Sequence, residues 1–179
     1  MKKPLPIGVE NFEDIITEGY YYIDKTMMIK ELLDLKGKVN LFTRPRRFGK
    51  TLNLSMLRYF FEDTGDLGKN ERNKELFGNL RIMEEGEAYT EHMGKYPVIN
   101  LTLKSAKQPS FGSAYGKLKR EIVEEFQRHR YLLESEAVSD EDKALFDAIK
   151  CGRAGLDDYS GSLKFLSRCL YQATGKRTV

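Results

Sequence analysis

The sequence predicts an α/β fold in which helices flank an incomplete parallel sheet. Two apolar stretches, residues 39–43 and 96–104, have the length and composition of strands. Most of the remaining chain carries apolar residues at every third or fourth position, which is the spacing of amphipathic helices. A basic turn joins the first stretch directly to one of these helices, as in parallel sheets. Because only two core strands are predicted, we expect the sheet to be incomplete.

Before the first of these strands, the sequence predicts a short extended piece and a helix. Residues 20–23 are aromatic or β-branched, which favours an extended conformation. Asp24 is placed to cap a helix whose end is marked by Gly37. Its apolar positions have helical spacing; they are Met27, Met28, Ile29, Leu32, Leu33 and Leu35. Capping explains Asp24 without any ligand, and we assign Asp24 and Lys25 structural roles.

A basic turn follows the first predicted strand and leads into a helix that begins at about Thr51. Such a turn leaves several backbone N–H groups pointing the same way, so an anion is favoured there. Gly49 lets the backbone approach a phosphate, Lys50 can reach the β- and γ-phosphates, and the Thr51 hydroxyl can bind Mg²⁺. The general consensus asks for a glycine where Arg44 stands, so the match is partial. We interpret the stretch as a phosphate-binding loop, with a basic surface turn as the alternative.

The chain after the loop is predicted to be helical, apart from the second strand. A helix covers residues 52–61, a polar connector 62–70, and short helices 74–78 and 81–95. The second strand, residues 96–104, alternates apolar and polar side chains.

Three longer helices are predicted in the last part of the chain. Residues 113–133 carry an apolar stripe along one face. Ser139 caps the next helix. The last helix starts at Ser160 or Ser162 and ends at Gly175.

Composition excludes several classes of protein. The chain has 179 residues, 40% of them hydrophobic, so a globular domain with a core is expected rather than a disordered chain. Its 30 basic and 27 acidic side chains are interspersed, and a net charge of +3 argues against a strongly basic nucleic-acid-binding domain. The sequence contains neither an apolar run of about 18 residues nor a signal-peptide pattern. We therefore expect a cytoplasmic location and no membrane partner.

Several titratable residues stand alone in the sequence. Cys151 and Cys169 lack the spacing of a metal site, so two ordinary thiols are the preferred interpretation. His92 and His129 are isolated, and we assign them no catalytic role. Two acidic pairs lie in polar surroundings and are interpreted as exposed carboxylates; they are Glu84 with Glu85 and Asp157 with Asp158.

The loop resembles a known variant of the phosphate-binding loop. Its residues are Thr43, Arg44, Pro45, Arg46, Arg47, Phe48, Gly49, Lys50, Thr51 and Leu52. This run is similar to the modified P-loop of a bacterial and archaeal family called AAA-ATPase-like proteins, in which Arg-Pro-Arg-Arg-Phe-Gly-Lys-Ser/Thr replaces the glycine-rich loop. Residues 20–26 resemble the family's Tyr-Val-Asp-Lys-Thr segment, and residues 96–104 resemble its second core strand. The resemblance covers nearly the whole chain.

The resemblance implies a P-loop NTPase-like fold, with residues 1–179 as a single domain that is the N-terminal part of an AAA-ATPase-like P-loop domain. It implies ATP and Mg²⁺ as cofactors, with Thr51 at the metal. The expected nucleotide-binding residues are Arg44, Arg46, Arg47, Phe48, Gly49, Lys50, Thr51 and Leu52. In many P-loop ATPases the stretch before the first strand lies over the adenine. Ile7, Val9 and Phe12 therefore form either an apolar lid there or part of the core.

The acidic residues that hydrolysis requires cannot be assigned in the sequence. Residues 175–179 read as the start of another strand, where the family has an apolar run that ends in an acidic Walker B motif. The sequence ends before such a run, so we expect the domain to be truncated there. Hydrolysis needs one acid to hold Mg²⁺ and a second to orient the attacking water. We predict that this chain binds ATP but does not hydrolyse it alone, and whether it is an enzyme is left open.

Two other functions are compatible with the sequence. The three arginines of the loop could contact nucleic-acid phosphates, since full-length relatives often resemble nucleases in their C-terminal part. Alternatively, the chain could be a non-catalytic interaction module. The expected partners are therefore a nucleotide, or else nucleic acid or a C-terminal part of the same protein.

Overall fold

The computed structural model describes residues 2–43, 45 and 48–179. The α-helices of this part of the chain are α1 (Phe12–Thr17), α2 (Met27–Leu35), α3 (Lys50–Phe61), α4 (Leu67–Glu75), α5 (Glu87–Thr90), α6 (Phe111–Arg128), α7 (Asp140–Lys150) and α8 (Leu156–Thr174). Short 3₁₀ helices cover Arg81–Glu84, Lys104–Ala106 and Arg130–Glu134.

The chain divides into two compact units. The N-terminal unit ends at Tyr96, and the C-terminal unit is Pro97–Val179. Each unit has buried apolar side chains of its own. That residues 1–179 form one domain stays a prediction. No helix in the described ranges combines the length and the apolar character needed to cross a membrane.

The prediction of an α/β, P-loop NTPase-like fold with a parallel sheet is wrong for the part of the chain that the structure describes. Residues 39–43 have no regular secondary structure, and Val39 and Leu41 are 88% and 85% exposed. Near the second predicted strand, the described residues form an isolated parallel bridge between Glu62 and Tyr96 instead of a sheet. A parallel strand needs hydrogen-bonded neighbours and helices covering its faces. Without such neighbours, the apolar run 39–43 forms no strand and is exposed.

The N-terminal unit is built around an aromatic core. Phe12 of α1, Phe60 of α3 and Phe77 after α4 are fully buried. The ring centres of Phe12 and Phe77 are 5.0 Å apart, and those of Phe60 and Phe77 are 5.3 Å apart. Of the two alternatives for Phe12, the core is therefore the one observed. Ile7, by contrast, is exposed.

Side-chain hydrogen bonds connect α1 to α3 in this unit. The Asn11 side chain caps α1 by accepting the Glu13 N–H at 3.2 Å. The Phe12 N–H donates to the Ser55 hydroxyl at 3.1 Å, and the Tyr59 hydroxyl donates to the Glu13 carboxylate at 2.8 Å. These bonds position the first turn of α1 against the helix that follows the predicted loop.

The C-terminal unit packs α6, α7 and α8 around a core of buried side chains. The core consists of Ile122, Phe126, Leu132, Val138, Phe146, Ile149, Tyr159, Leu166, Cys169 and Leu170. The Phe126 and Phe146 ring centres lie 4.9 Å apart. Burial of this many apolar side chains is the main source of stability for a unit made only of helices.

The C-terminal unit also holds residues 97–103, most of the predicted second strand, which have no regular secondary structure. The Ile99 N–H donates to the Val179 carbonyl and the Val179 N–H donates to the Pro97 carbonyl, both at 2.9 Å. Arg128 donates to the Val98 carbonyl at 2.6 Å, and the His129 ring lies 3.1 Å from the same oxygen. These side chains satisfy backbone groups that a sheet would otherwise pair.

Some helix boundaries marked by a local cap were predicted correctly and others were wrong. The last helix, α8, begins at Leu156 and not at Ser160 or Ser162, and the N-cap of α2 is Thr26 and not Asp24. The Ser139 hydroxyl accepts the Asp142 N–H at 3.2 Å, and Gly175, with φ 68°, ends α8, as predicted. In contrast, α4 begins at Leu67, inside the predicted connector. Gly86, with φ 92°, separates Arg81–Glu84 from α5 where one helix was predicted.

Candidate nucleotide site

The helix that follows the loop begins at a glycine in the left-handed region. Gly49 is the N-cap of α3, with φ 72° and ψ 20°, a conformation that strains residues carrying a Cβ atom. No heavy atom of the described residues lies within 4 Å of a Cβ added there, so the backbone angle favours glycine. The Gly49 carbonyl accepts the Asn53 N–H at 2.9 Å, and Lys50 is the first helical residue.

The N-terminus of α3 differs from that of four other helices. Helices α1, α4, α6 and α7 begin at residues whose side chains accept a first-turn N–H; these are Asn11, Asp66, Ser110 and Ser139. Gly49 has no side chain and makes no such bond. The positive end of the helix dipole lies at this terminus, which favours an anion.

A cavity of about 550 Å³ lies beside the start of α3, in the N-terminal unit. Half of its lining is apolar and comes from Met27, Met28, Phe42, Phe48 and Leu54. The other half is polar and comes from Lys25, Glu31, Asn40, Lys50 and Asn53. Concave sites of about 300–1,000 Å³ with apolar walls and a few polar groups are typical of small-molecule binding.

The cavity brings together some of the predicted site residues. Phe48 and Lys50 line it, and Gly49 forms the helix cap between them. Thr51 and Leu52 are the next two helical residues, half-buried, and are not among the described side chains that line the cavity. The remaining predicted residues, Arg44, Arg46 and Arg47, lie outside the residues that the structure describes.

A turn that precedes α2 contributes Lys25 to the cavity. The Asp24 carboxylate accepts the Thr26 N–H at 2.8 Å and the Thr26 hydroxyl at 2.7 Å. Its other oxygen accepts the Arg81 N–H at 2.8 Å, and the buried Thr26 hydroxyl oxygen accepts the Ile82 N–H at 3.2 Å. Both neighbours of Lys25 in the sequence are therefore anchored to the same 3₁₀ helix.

Two pKa shifts reflect the packing of this turn. Burial raises the pKa of Tyr22 to about 12, and its hydroxyl lies 3.4 Å from the Met56 sulfur of α3. Burial of the Asp24 carboxyl opposes ionisation, but the hydrogen bonds from the Arg81 N–H and from Thr26 outweigh it and lower the Asp24 pKa. Asp24 is therefore ionised at neutral pH and accepts hydrogen bonds with both oxygens.

The sequence prediction missed the part of the lining that comes from outside the loop. Lys25 was assigned a structural role, and Glu31, Asn40 and Asn53 were not considered. Asn53 follows Lys50 by one helical turn, so the helical period alone places the two on the same face. Nothing in the sequence indicates that Glu31 of α2 meets them, because that contact depends on how α2 packs.

Most of the isolated titratable residues make structural contacts. Glu85 forms an ion pair with Lys30, and the Asp158 carboxylate accepts the Gly155 N–H at 2.9 Å at the start of α8. Cys169 is buried, and burial raises its pKa to about 11. Among the described residues, no three His, Cys, Asp or Glu side chains form a group suited to a metal ion.

Comparison with known proteins places the chain in a family. No solved structure matches it. A protein of Azotobacter chroococcum mcd 1, described as "Uncharacterized protein in vnfD 5'region", is 34% identical over 103 residues. This match covers 56% of the chain but 17% of the relative, so the chain spans a small part of that protein. The family described as "Predicted AAA-ATPase" matches residues 6–179. The chain therefore belongs to the AAA-ATPase-like family, a membership consistent with nucleotide binding in general.

Proposed function

We propose that the chain binds ATP through its modified Walker A loop, at the cavity beside the start of α3. The observation that carries this proposal is the position of Lys50. It is the first residue of α3, next to a glycine cap, and it lines a cavity of which half the lining residues are apolar. A nucleotide has the same division into an anionic end and a flat, weakly polar base.

The positive charge at the start of α3 favours binding of the nucleotide phosphates. The dipole of α3 directs its positive end toward this terminus, and the ammonium group of Lys50 adds a full charge. The cationic side chains predicted to complete the site are Arg44, Arg46 and Arg47. Charge-assisted hydrogen bonds to phosphate are roughly twice as strong as neutral ones.

The exposed apolar side chains of the cavity favour binding of the nucleotide base; these are Phe42, Phe48 and Leu54. They line the cavity and are 39%, 61% and 49% exposed. A base that covered them would remove apolar surface from water and could stack on the aromatic rings. This gain requires no rearrangement of the buried aromatic core.

A magnesium ion bound together with the phosphates would need few protein oxygens. Mg²⁺ prefers oxygen ligands and usually keeps several waters while binding one or two protein groups and the substrate phosphates. The Thr51 hydroxyl follows Lys50 directly, and the Glu31 carboxylate lines the cavity. In this proposal Thr51 holds the ion, which neutralises phosphate charge when bound.

We propose further that this chain does not hydrolyse ATP by itself. Turnover requires an acid at the metal and a second group that orients the water. Among the described side chains that line the cavity, Glu31 supplies the carboxylate. One carboxylate can fill at most one of these two roles.

Isothermal titration calorimetry with Mg·ATP tests the proposal. We compare the wild-type chain, Lys50→Ala and the control Lys69→Ala, which removes an exposed lysine from α4 of the same unit. Loss of a charged contact should weaken binding by roughly tenfold to a hundredfold in Lys50→Ala and leave the control unchanged. Thermal melts establish that all three are folded.

Two results would reject this function. A folded wild-type chain that does not bind Mg·ATP would reject it, and so would equal affinities for wild type and Lys50→Ala. Binding of DNA that weakens steeply with salt would favour the nucleic-acid interpretation instead. Turnover that disappears in Lys50→Ala would contradict the absence of hydrolysis.

A further inference from the structure

We propose that Lys25 is a second cationic contact to the nucleotide, so that the cavity selects ligands with a polyphosphate chain over nucleoside monophosphates. This inference rests on the proposed function, since it names the ligand class of the same cavity. It also gives a binding role to a residue that the sequence assigned to structure alone.

Hydrogen bonds hold the backbone in place on both sides of Lys25. Asp24 and Thr26 bond to each other and to the backbone of Arg81 and Ile82, which fixes the turn on both sides of Lys25. The Tyr22 hydroxyl contacts Met56 of α3. The same turn is thus attached to the helix that carries Lys50, which limits how far the two lysines can move apart.

The charges of the cavity favour a ligand with more than one negative charge. Lys25 and Lys50 both line the cavity, and among its described lining side chains Glu31 is the acidic one. The ion pairs of the described residues do not include one between Lys25 and Glu31. Two like charges that share a site repel each other, and a polyanion between them converts this repulsion into attraction.

The two lysines enter the cavity from different elements. Lys50 lies at the start of α3, where the helix dipole adds to its charge, while Lys25 lies before α2. A single phosphate at the start of α3 satisfies the Lys50 site alone. A chain of two or three phosphates carries further negative charges that can bind Lys25. The nucleotide base then contacts the apolar side chains of the cavity.

The test is the phosphate dependence of binding, measured by calorimetry with Mg·ATP, ADP and AMP. The variants are Lys25→Met, which keeps the length of the side chain and removes its charge, and Lys25→Arg, which keeps the charge. Lys69→Met is the matched control on an exposed face of α4. All variants are melted first to show that they are folded.

We expect Lys25→Met to weaken ATP binding by roughly tenfold, to weaken AMP binding much less, and to leave Lys25→Arg and the control near wild type. Unchanged ATP affinity in Lys25→Met, with loss of binding in Lys50→Ala, would overturn the inference while the proposed function stands. Equal losses for ATP and AMP would also overturn it, because a general structural effect would explain them. A wild-type chain that binds none of the three ligands would reject both proposals.

Discussion

Buried aromatic rings occur in both units, and exposed rings line the cavity of the N-terminal unit. In the C-terminal unit, Phe126 and Phe146 are almost completely buried and pack against each other between helices. The N-terminal unit also has a buried aromatic core, but it leaves Phe42 and Phe48 exposed at the cavity beside α3. Apolar side chains that fill a core stabilise a fold, whereas exposed ones next to a cavity lower the free energy only when something covers them. The contrast separates buried rings that hold a core together from exposed rings that line a cavity.

The largest effect that tests this contrast is the loss of a phenyl ring. Phe126→Ala should destabilise the C-terminal unit by about 3–5 kcal/mol, because it leaves a cavity in a closed core. Phe48→Ala, the same change at an exposed ring, should alter stability little but weaken Mg·ATP binding. Denaturant unfolding combined with amide hydrogen exchange, which reports each unit separately, measures both. Comparable stability losses in the two variants would show that Phe48 belongs to a core.

A smaller effect is expected for the carboxylate that anchors the turn before α2. Asp24→Asn replaces one carboxylate oxygen by an amide N–H₂, which cannot accept a hydrogen bond. Either Arg81 or Thr26 then loses its acceptor, so the N-terminal unit should lose about 1–3 kcal/mol. Asp147→Asn, at an exposed ion pair with Lys150 in the C-terminal unit, should change stability little. Urea unfolding at neutral pH compares the two. A larger loss for the Asp147 variant would reverse the expected order.

The Asp24 carboxylate should make the stability of the N-terminal unit depend on pH. Because the folded-state pKa of Asp24 lies below its ordinary value, its contribution is present above the pKa of the unfolded chain and disappears as the pH falls through the folded-state pKa. Wild type should therefore lose more stability than Asp24→Asn between neutral pH and pH values below the ordinary aspartate range. If the free energies of unfolding of wild type and Asp24→Asn change equally with pH, ionisation of Asp24 does not contribute to stability.

Substituting glycine by alanine should change the free energy of unfolding still less, and the sign of the change should differ between the two units. Gly49→Ala places a Cβ atom at a positive φ and should cost about 1 kcal/mol. Gly161→Ala, inside α8 with open space around an added Cβ, should stabilise the C-terminal unit by about 0.5–1 kcal/mol. Thermal melts of the two variants measure the signs. A stabilising Gly49→Ala would mean that α3 does not start in the left-handed conformation.

Thiol labelling checks how closed the C-terminal core is without changing the protein. Cys151 is exposed, while Cys169 is buried with its pKa raised to about 11. A neutral thiol reagent at pH 7–8 should modify Cys151 in the native protein and reach Cys169 only after unfolding, because the thiolate is the reactive form. Rapid labelling of both cysteines under native conditions would indicate that the core opens.

Sequence patterns predicted the helices more accurately than the strands, and the reason is the range of the interactions involved. Ser139 and Gly175 act within one turn of their own helix, and both were identified correctly. Residues 39–43 have the composition of a strand, but a strand also needs partners that local sequence cannot supply. Asp66 is as good a cap as Ser139, and α4 was missed because its polar sequence lacks an apolar stripe.

The candidate site was predicted in part. The helix that follows the loop and the family were identified from a short run of residues, and the match over residues 6–179 confirms the family, while the phosphate-binding role of the loop stays a prediction. The nucleotide-binding roles of all the predicted residues, Arg44 and 46–52, stay predictions. Lys25 and Glu31 entered the site only through the cavity that α2 and α3 share.

By itself, the sequence determined the family and the approximate start of α3, because each was identified from residues that are close along the chain. Tertiary structure decided that Phe12 lies in the core, that residues 39–43 stay outside a sheet, and that Lys25 shares a cavity with Lys50. These outcomes depend on which surfaces meet when helices pack. Side chains distant in sequence contribute to such contacts only after the backbone entropy of the intervening chain has been lost.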